Sequence, residues 1–194
     1  AAHLPGYQPG RRVIVGNLGR SLDDILLDYA VAAGVENPGR VSREMLETYR
    51  GFQRVTMARL IRPYDGMRET LSALRERGLV LGVVTSKVEW AARECYEYYG
   101  LGEFLSVHVF HDDTVRHKPD PEPLLLAASK ANLNVARTAY VGDSVHDMAA
   151  GHAAGMQTIA ALWGPFERDE LVQAGADALA ARPADLLEII PIAR

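Results

Sequence analysis

The chain has 194 residues, with 21 Lys and Arg against 25 Asp and Glu, a formal net charge of −4, and 48% hydrophobic residues. That length fits one domain plus a small accessory unit and can bury roughly 70% of its unfolded surface. The acidic balance, with no basic run beyond Arg11-Arg12, argues against nucleic acid as a partner. No apolar stretch nears the roughly 20 residues that span a bilayer.

Cys95 is the single cysteine, which excludes an intramolecular disulfide and fits a reducing cytoplasm. No signal peptide is visible, and residues 1–10 read as loop. The sequence starts at Ala1 without a Met, so an upstream segment is expected. Ser21 is a good N-cap with Asp23 and Asp24 behind it, and Leu22, Ile25, Leu26 and Tyr29 recur at helical spacing until Gly34. Ser42 opens a longer helix with Met45, Tyr49 and Phe52 on one side, which must stop before Pro63. Residues 1–62 thus read as helical.

From residue 63 helices and strands alternate. A helix over 66–77 ends at Gly78, and Leu79 to Val84 is an apolar run suited to a buried strand. Trp90 to Tyr99 is helical, Val107 to Phe110 a strand, and Asp120-Pro121-Glu122 a strong helix start. Thr138 to Val141 is a strand, 145–154 a helix and Gln157 to Ala161 a strand, followed by short elements near Ala178 and over 183–190. Apolar strands alternating with helices imply an α/β fold with a parallel sheet covered on both faces. Ligands of such sheets bind beyond the C-terminal strand ends.

Three motifs fall at those ends: Val83-Val84-Thr85-Ser86-Lys87, His117-Lys118-Pro119-Asp120-Pro121 and Val141-Gly142-Asp143-Ser144-Val145-His146-Asp147. A hydroxyl, an ammonium and a carboxylate converge there. Thr85 with nearby backbone N–H groups can donate to phosphoryl oxygens, and Lys118 places a compact positive charge beside them. Asp143 can hold Mg²⁺, which favours a few carboxylates, waters and phosphate oxygens. Asp147, one helical turn on, can bind a metal water or orient Lys118. Taken singly, each has a blander use: a turn residue at Thr85, a solvated charge at Lys118, helix caps at Asp120, Asp143 and Ser144.

In this order the motifs resemble the haloacid-dehalogenase superfamily, most closely its phosphoglycolate-phosphatase-like branch, over almost the whole chain. Pro63-Tyr64-Asp65-Gly66 resembles the hinge from which a helical cap returns to the core. The resemblance implies a Rossmann-like core over 63–194 and a helical cap over 1–62. It implies Thr85, Ser86 and Lys118 as phosphate-binding residues, Thr85 and Lys118 acting in catalysis, and Asp143 and Asp147 at a Mg²⁺ site. Gly16-Asn17-Leu18-Gly19-Arg20 resembles a cap segment that faces the substrate, making Arg20 a candidate for a substrate anion. It further implies an aspartyl-phosphate mechanism on a small phosphorylated metabolite, with no nucleic-acid or membrane partner.

The family's nucleophile lies in an Asp-x-Asp-Gly-Thr segment at the end of a first, central strand. The aspartates here fall at 23, 24, 28, 65, 112, 113, 120, 143, 147, 169, 177 and 185, and no two lie two apart. This chain therefore contains no such nucleophile, and the core is expected to lack its first strand. Asp112 and Asp113 sit in an imitation of the motif but are adjacent, so a strand would point them to opposite faces. His146 and His152, six apart on a helix, lack metal-ligand spacing; Trp90, Tyr96, Tyr98 and Tyr99 read as core and rim. Two alternatives stay open: a non-catalytic phosphate- or partner-binding relative, and a phosphomutase or pyrophosphatase on the same scaffold.

Overall fold

The computed structural model describes residues 3–190, apart from the side chains of residues 57–59. Residues 1 and 2 of the expected N-terminal loop lie outside the described residues. A short helix, α1 (Arg11–Asn17), precedes the anticipated α2 (Leu22–Ala32). Ser21 stands at the N-cap of α2 with extended backbone, but its buried hydroxyl makes no capping bond. The long helix α3 (Pro38–Leu60) begins one turn before Ser42, because Asn37 Oδ1 accepts from the Arg40 N–H at 3.1 Å and Pro38 occupies the first helical position.

The later elements follow in the expected order: α4 (Met67–Glu76), β1 (Gly82–Val84), α5 (Glu89–Tyr98), β2 (Val107–Val109), α6 (Glu122–Lys130), β3 (Ala139–Gly142), α7 (Val145–Ala153), β4 (Gln157–Ala161), α8 (Arg168–Gln173), β5 (Ala178–Ala180) and α9 (Leu186–Ile189). Asp120 Oδ1 accepts from the Glu122 N–H at 2.9 Å, as expected of a cap. The helix α8 was not anticipated; its start is marked by Glu167 and Glu170, whose carboxylate accepts from the Glu167 N–H at 3.0 Å. No described helix is long and apolar enough to cross a membrane.

All strand pairs are parallel, yet they form two sheets rather than one: β1 with β2, and β3 with β4 and β5. Val84 of β1 and Tyr140 of β3 pack on the same cluster beneath α6 and α7, built from Leu124, Ala128, Ala150, Ala154 and Met156. The two sheets therefore lie side by side, and no ladder bond joins β1 to β3. Burial runs opposite to that of a closed parallel sheet. In β4 every residue after Gln157 is buried and in β2 Val107 and Val109 are buried, whereas β3 is half-buried throughout and β1 is exposed at Gly82. A seam thus runs between the two strands that should be central.

Candidate active site

The sharpest feature lies where β3 turns into α7. Ser144 caps α7 and forms a reciprocal capping box with Asp147. A Cβ on Gly142 would fall 2.2 Å from Asp147 Cβ, so glycine at the end of β3 admits this carboxylate. Asp147 is almost fully buried, and five donors satisfy it. Lys118 Nζ donates to Oδ1 at 2.6 Å and the Tyr140 hydroxyl at 3.0 Å. Ser144 Oγ donates to Oδ2 at 2.6 Å, with the Ser144 and Asp143 N–H groups at 3.1 and 3.2 Å. Of the two roles expected for Asp147, this saturation favours orienting Lys118.

Lys118 is 8% exposed and also donates to the Tyr140 hydroxyl at 3.1 Å. Burial alone would lower its pKa, but Tyr140 and the Asp147 carboxylate outweigh that and hold it above the ordinary lysine value. Burial would raise Asp147, and Lys118 with its other donors brings it below the ordinary carboxylate value. The pair is therefore ionised and fixed. The Tyr140 phenol is pushed upward by its burial and stays neutral.

Asp143 is the opposite case. Burial first, then the Asp147 charge, raise its pKa, while Lys118 and Lys87 ease it. A Cβ on Gly164 would lie 2.2 Å from Asp143 Cβ and 2.7 Å from Oδ2, so a glycine keeps that side of the carboxylate clear. Tyr64 belongs to the same corner: burial and the Asp143 charge raise its pKa, and its ring lies 6.3 Å from that of Trp163. A half-buried carboxylate crowded by a second one, with no side-chain donor against it among the described residues, suits a hard divalent cation that keeps most of its waters. Among the described residues no group of three or more His, Cys, Asp or Glu could hold a metal alone. Phosphate oxygens and waters would complete the sphere.

Across the seam, Thr85 N–H donates to Val109 O at 3.0 Å, and Thr85 Oγ1 accepts from the Lys87 N–H at 3.2 Å. Ser86 Oγ donates to Gly19 O at 2.7 Å, so its hydroxyl is engaged by the helical N-terminal segment. Arg20 is tied within that segment, by Asn17 and by Asp28 Oδ2 at 2.9 Å. The imitation nucleophiles are structural: Asp112 Oδ2 accepts from the Glu89 N–H at the start of α5, and Asp113 Oδ2 from the Phe110 N–H. His152 meets Thr158 Oγ1 at 3.0 Å and His146 meets Gly16 O at 3.2 Å, so the two rings have separate partners.

Tyr140, Gly142, Gly164 and Tyr64 were not singled out from sequence as functional. The only signal was position, since Tyr140 and Gly142 belong to the strand that delivers Asp143, and Tyr64 to the hinge-like segment.

An α/β core with a hydroxyl, a buried lysine and paired aspartates at parallel strand ends defines the class, and the haloacid dehalogenase-like hydrolase family model matches residues 3–161. The chain belongs to that family. It is 38% identical to the N-acetylmuramic acid 6-phosphate phosphatase of Pseudomonas aeruginosa over 132 residues, covering 68% of this chain and 58% of that protein. The pyrophosphatase PpaX of Bacillus pumilus is 33% identical over 190 residues, 96% of this chain and 84% of that one. The crystal structure of a predicted phosphoglycolate phosphatase from Haemophilus somnus shares the fold with a TM-score of 0.82 at 23% identity, over 98% of this chain and 86% of the other.

Proposed function

We propose that this chain forms the phosphate and Mg²⁺ half of a phosphomonoester hydrolase acting on a small anionic phosphorylated metabolite. The observation that carries this is the Lys118–Asp147 pair, a buried ammonium 2.6 Å from its carboxylate whose charge is also felt by Asp143 at the end of β3. Lys118 would meet the negative charge that spreads over phosphoryl oxygens in the transition state. Thr85 would donate to the same oxygens from the end of β1. Asp143 would hold Mg²⁺, which when bound adds positive charge at those oxygens. Asp147 would keep Lys118 in place and charged.

The relatives support a phosphate-bearing substrate by what they are named for: N-acetylmuramic acid 6-phosphate in one, pyrophosphate in another. Residues 1–62 would be the cap over the site and 63–194 the core. The attacking carboxylate would come from an Asp-bearing strand laid between β1 and β3, where the half-buried seam leaves two strand edges unpaired. Its carboxylate would then emerge among Thr85, Lys118 and Asp143.

The test is phosphate release by the natural full-length polypeptide from N-acetylmuramic acid 6-phosphate, phosphoglycolate and pyrophosphate, with and without Mg²⁺. Mg²⁺-dependent release, lowered at least a hundredfold by Lys118→Ala, is the expected result. Near-normal turnover of that variant would overturn the assignment.

A further inference from the structure

The loop between β2 and α6, residues 110–121, delivers Lys118, and two of its histidines lie face to face. The rings of His111 and His117 stack with centroids 4.0 Å apart and planes 24° from parallel. His111 is fixed from the β1 side, where its backbone N–H donates to Lys87 O at 3.0 Å. His117 precedes Lys118 in the chain, and its carbonyl accepts from the Asp120 N–H at 2.9 Å, just ahead of α6. The stack therefore ties the start of the loop to the end that carries the ammonium.

The stack is arranged for two uncharged rings. His111 Nδ1 is buried and has no hydrogen-bond partner among the described residues. An imidazolium carries a donor on each nitrogen, so a proton placed there would lack an acceptor. His111 Nε2 lies 3.7 Å from Asp23 Oδ2 of α2, beyond hydrogen-bond reach. Burial, and then the charge that His111 would carry, lower the pKa of His117 and outweigh the opposite pull of Asp24, Glu122 and Asp23. Arg116 is paired with Glu122 at 2.9 Å and with Asp120 at 3.4 Å, and Asp112 and Asp113 are engaged by the Glu89 and Phe110 N–H groups. Two protonated rings at 4.0 Å would repel at close range.

We infer that His111 and His117 are a proton-sensitive positioning pair for Lys118: stacked and neutral they hold the loop that sets its ammonium against Asp147, and a proton on the stack parts the rings and loosens that placement. Both act through Lys118. The sign follows from His117, whose folded value lies below the ordinary one of about 6.5. The contribution of the stack is complete above that pH and is lost as pH falls from there through the folded value. The Lys118–Asp147 pair cannot itself cause a loss in that range, because both members keep their charge throughout it. This rests on the phosphatase assignment only where turnover is concerned.

Nitrogen-15 NMR of the natural full-length polypeptide tests the pair without any activity. On acidification through the histidine range, the Lys118 ammonium signal and the His117 ring signals should shift together, with one midpoint below about 6.5. In His117→Phe, which keeps a ring in the stack and takes no proton, the Lys118 signal should stay in place over the same range. A Lys118 signal that does not follow His117 in the wild type, or that moves equally in the variant, would overturn the pair. The wild-type comparison decides even if the variant does not fold.

Turnover supplies the second readout, on whichever of the three phosphate compounds the wild type hydrolyses, with Mg²⁺ saturating. The ratio of kcat one pH unit above the His117 midpoint to kcat one unit below it should be at least about threefold larger in the wild type than in His117→Phe. Equal ratios would overturn the link from the stack to catalysis. Absence of turnover in the wild type would refute the phosphatase assignment and leave the NMR result to decide the pair.

Discussion

The two sides of the seam are built differently. On the β3 side, every polar atom of Asp147 is answered inside the core, and the ammonium it holds is buried with it. On the β1 side, Thr85 Oγ1 accepts a 3.2 Å bond from its own loop, and Ser86 reaches across to a backbone carbonyl of the N-terminal segment. A charge that must meet developing negative charge is set in advance on one side, where reorganisation would cost rate. The other side keeps donors available and completes its contacts through a turn of the N-terminal segment. The first side should therefore fail through stability as well as activity, and the second through activity alone.

The largest break in that contrast is Lys118→Ala. It strands the buried Asp147 carboxylate, and removing one member of a buried pair costs about 3–5 kcal/mol. Urea unfolding of the 194-residue chain measures it, and a loss below about 1 kcal/mol would mean that water reaches Asp147. The same pair sets an acid signature. Asp147 has its folded pKa below the ordinary value, so its contribution is fully present above roughly pH 3.9 and is lost as pH falls through the lower folded value. The stability difference between wild type and Asp147→Asn should accordingly stay level from neutral pH down to about 4 and shrink below it.

Tyr140→Phe comes next. It removes a donor to a carboxylate and an acceptor for Lys118 with little change of volume, at a cost of about 2 kcal/mol. Ser144→Ala removes both the cap of α7 and a donor to Asp147, at about 1–2 kcal/mol. Calorimetric melting of the two single variants and the double variant sharpens the comparison. Losses that add independently would show that Asp147 Oδ1 and Oδ2 are held separately, and a double loss smaller than the sum would show one network.

Much of this was legible beforehand because it rests on local rules. Asp120-Pro121 starting α6, Gly78 and Gly100 ending helices in the left-handed region, and the placement of Thr85, Lys118 and Asp143 at strand ends follow from caps, breakers and apolar runs. What escaped was set by partners distant in sequence. Tyr140 reads as an ordinary strand residue until Lys118, 22 residues earlier, is folded against it. Arg20, a candidate for a substrate anion, has an ion-pair partner in Asp28 that only the packing of α2 brings to it. The start of α3 moved because Asn37 and Pro38 outrank Ser42 as a helix opening. The split into two sheets could be expected only through the family resemblance, since no single strand's sequence records which neighbour its edge will find.

Thr85→Ala is the smallest change in stability and the most discriminating one. Its hydroxyl sits in a half-buried turn and accepts one local bond of 3.2 Å, so the urea midpoint of the 194-residue chain should correspond to a loss within about 0.5 kcal/mol. Turnover by the full-length polypeptide should nevertheless fall about a hundredfold, because one donor to the phosphoryl oxygens is gone at the moment charge develops there. If stability instead fell as far as in Lys118→Ala, Thr85 would be part of the scaffold and the two sides of the seam would be alike. If neither stability nor turnover moved, phosphate would be bound from the β3 side alone, with Lys118, the backbone N–H groups of the Asp143 turn and the metal supplying all of its positive charge.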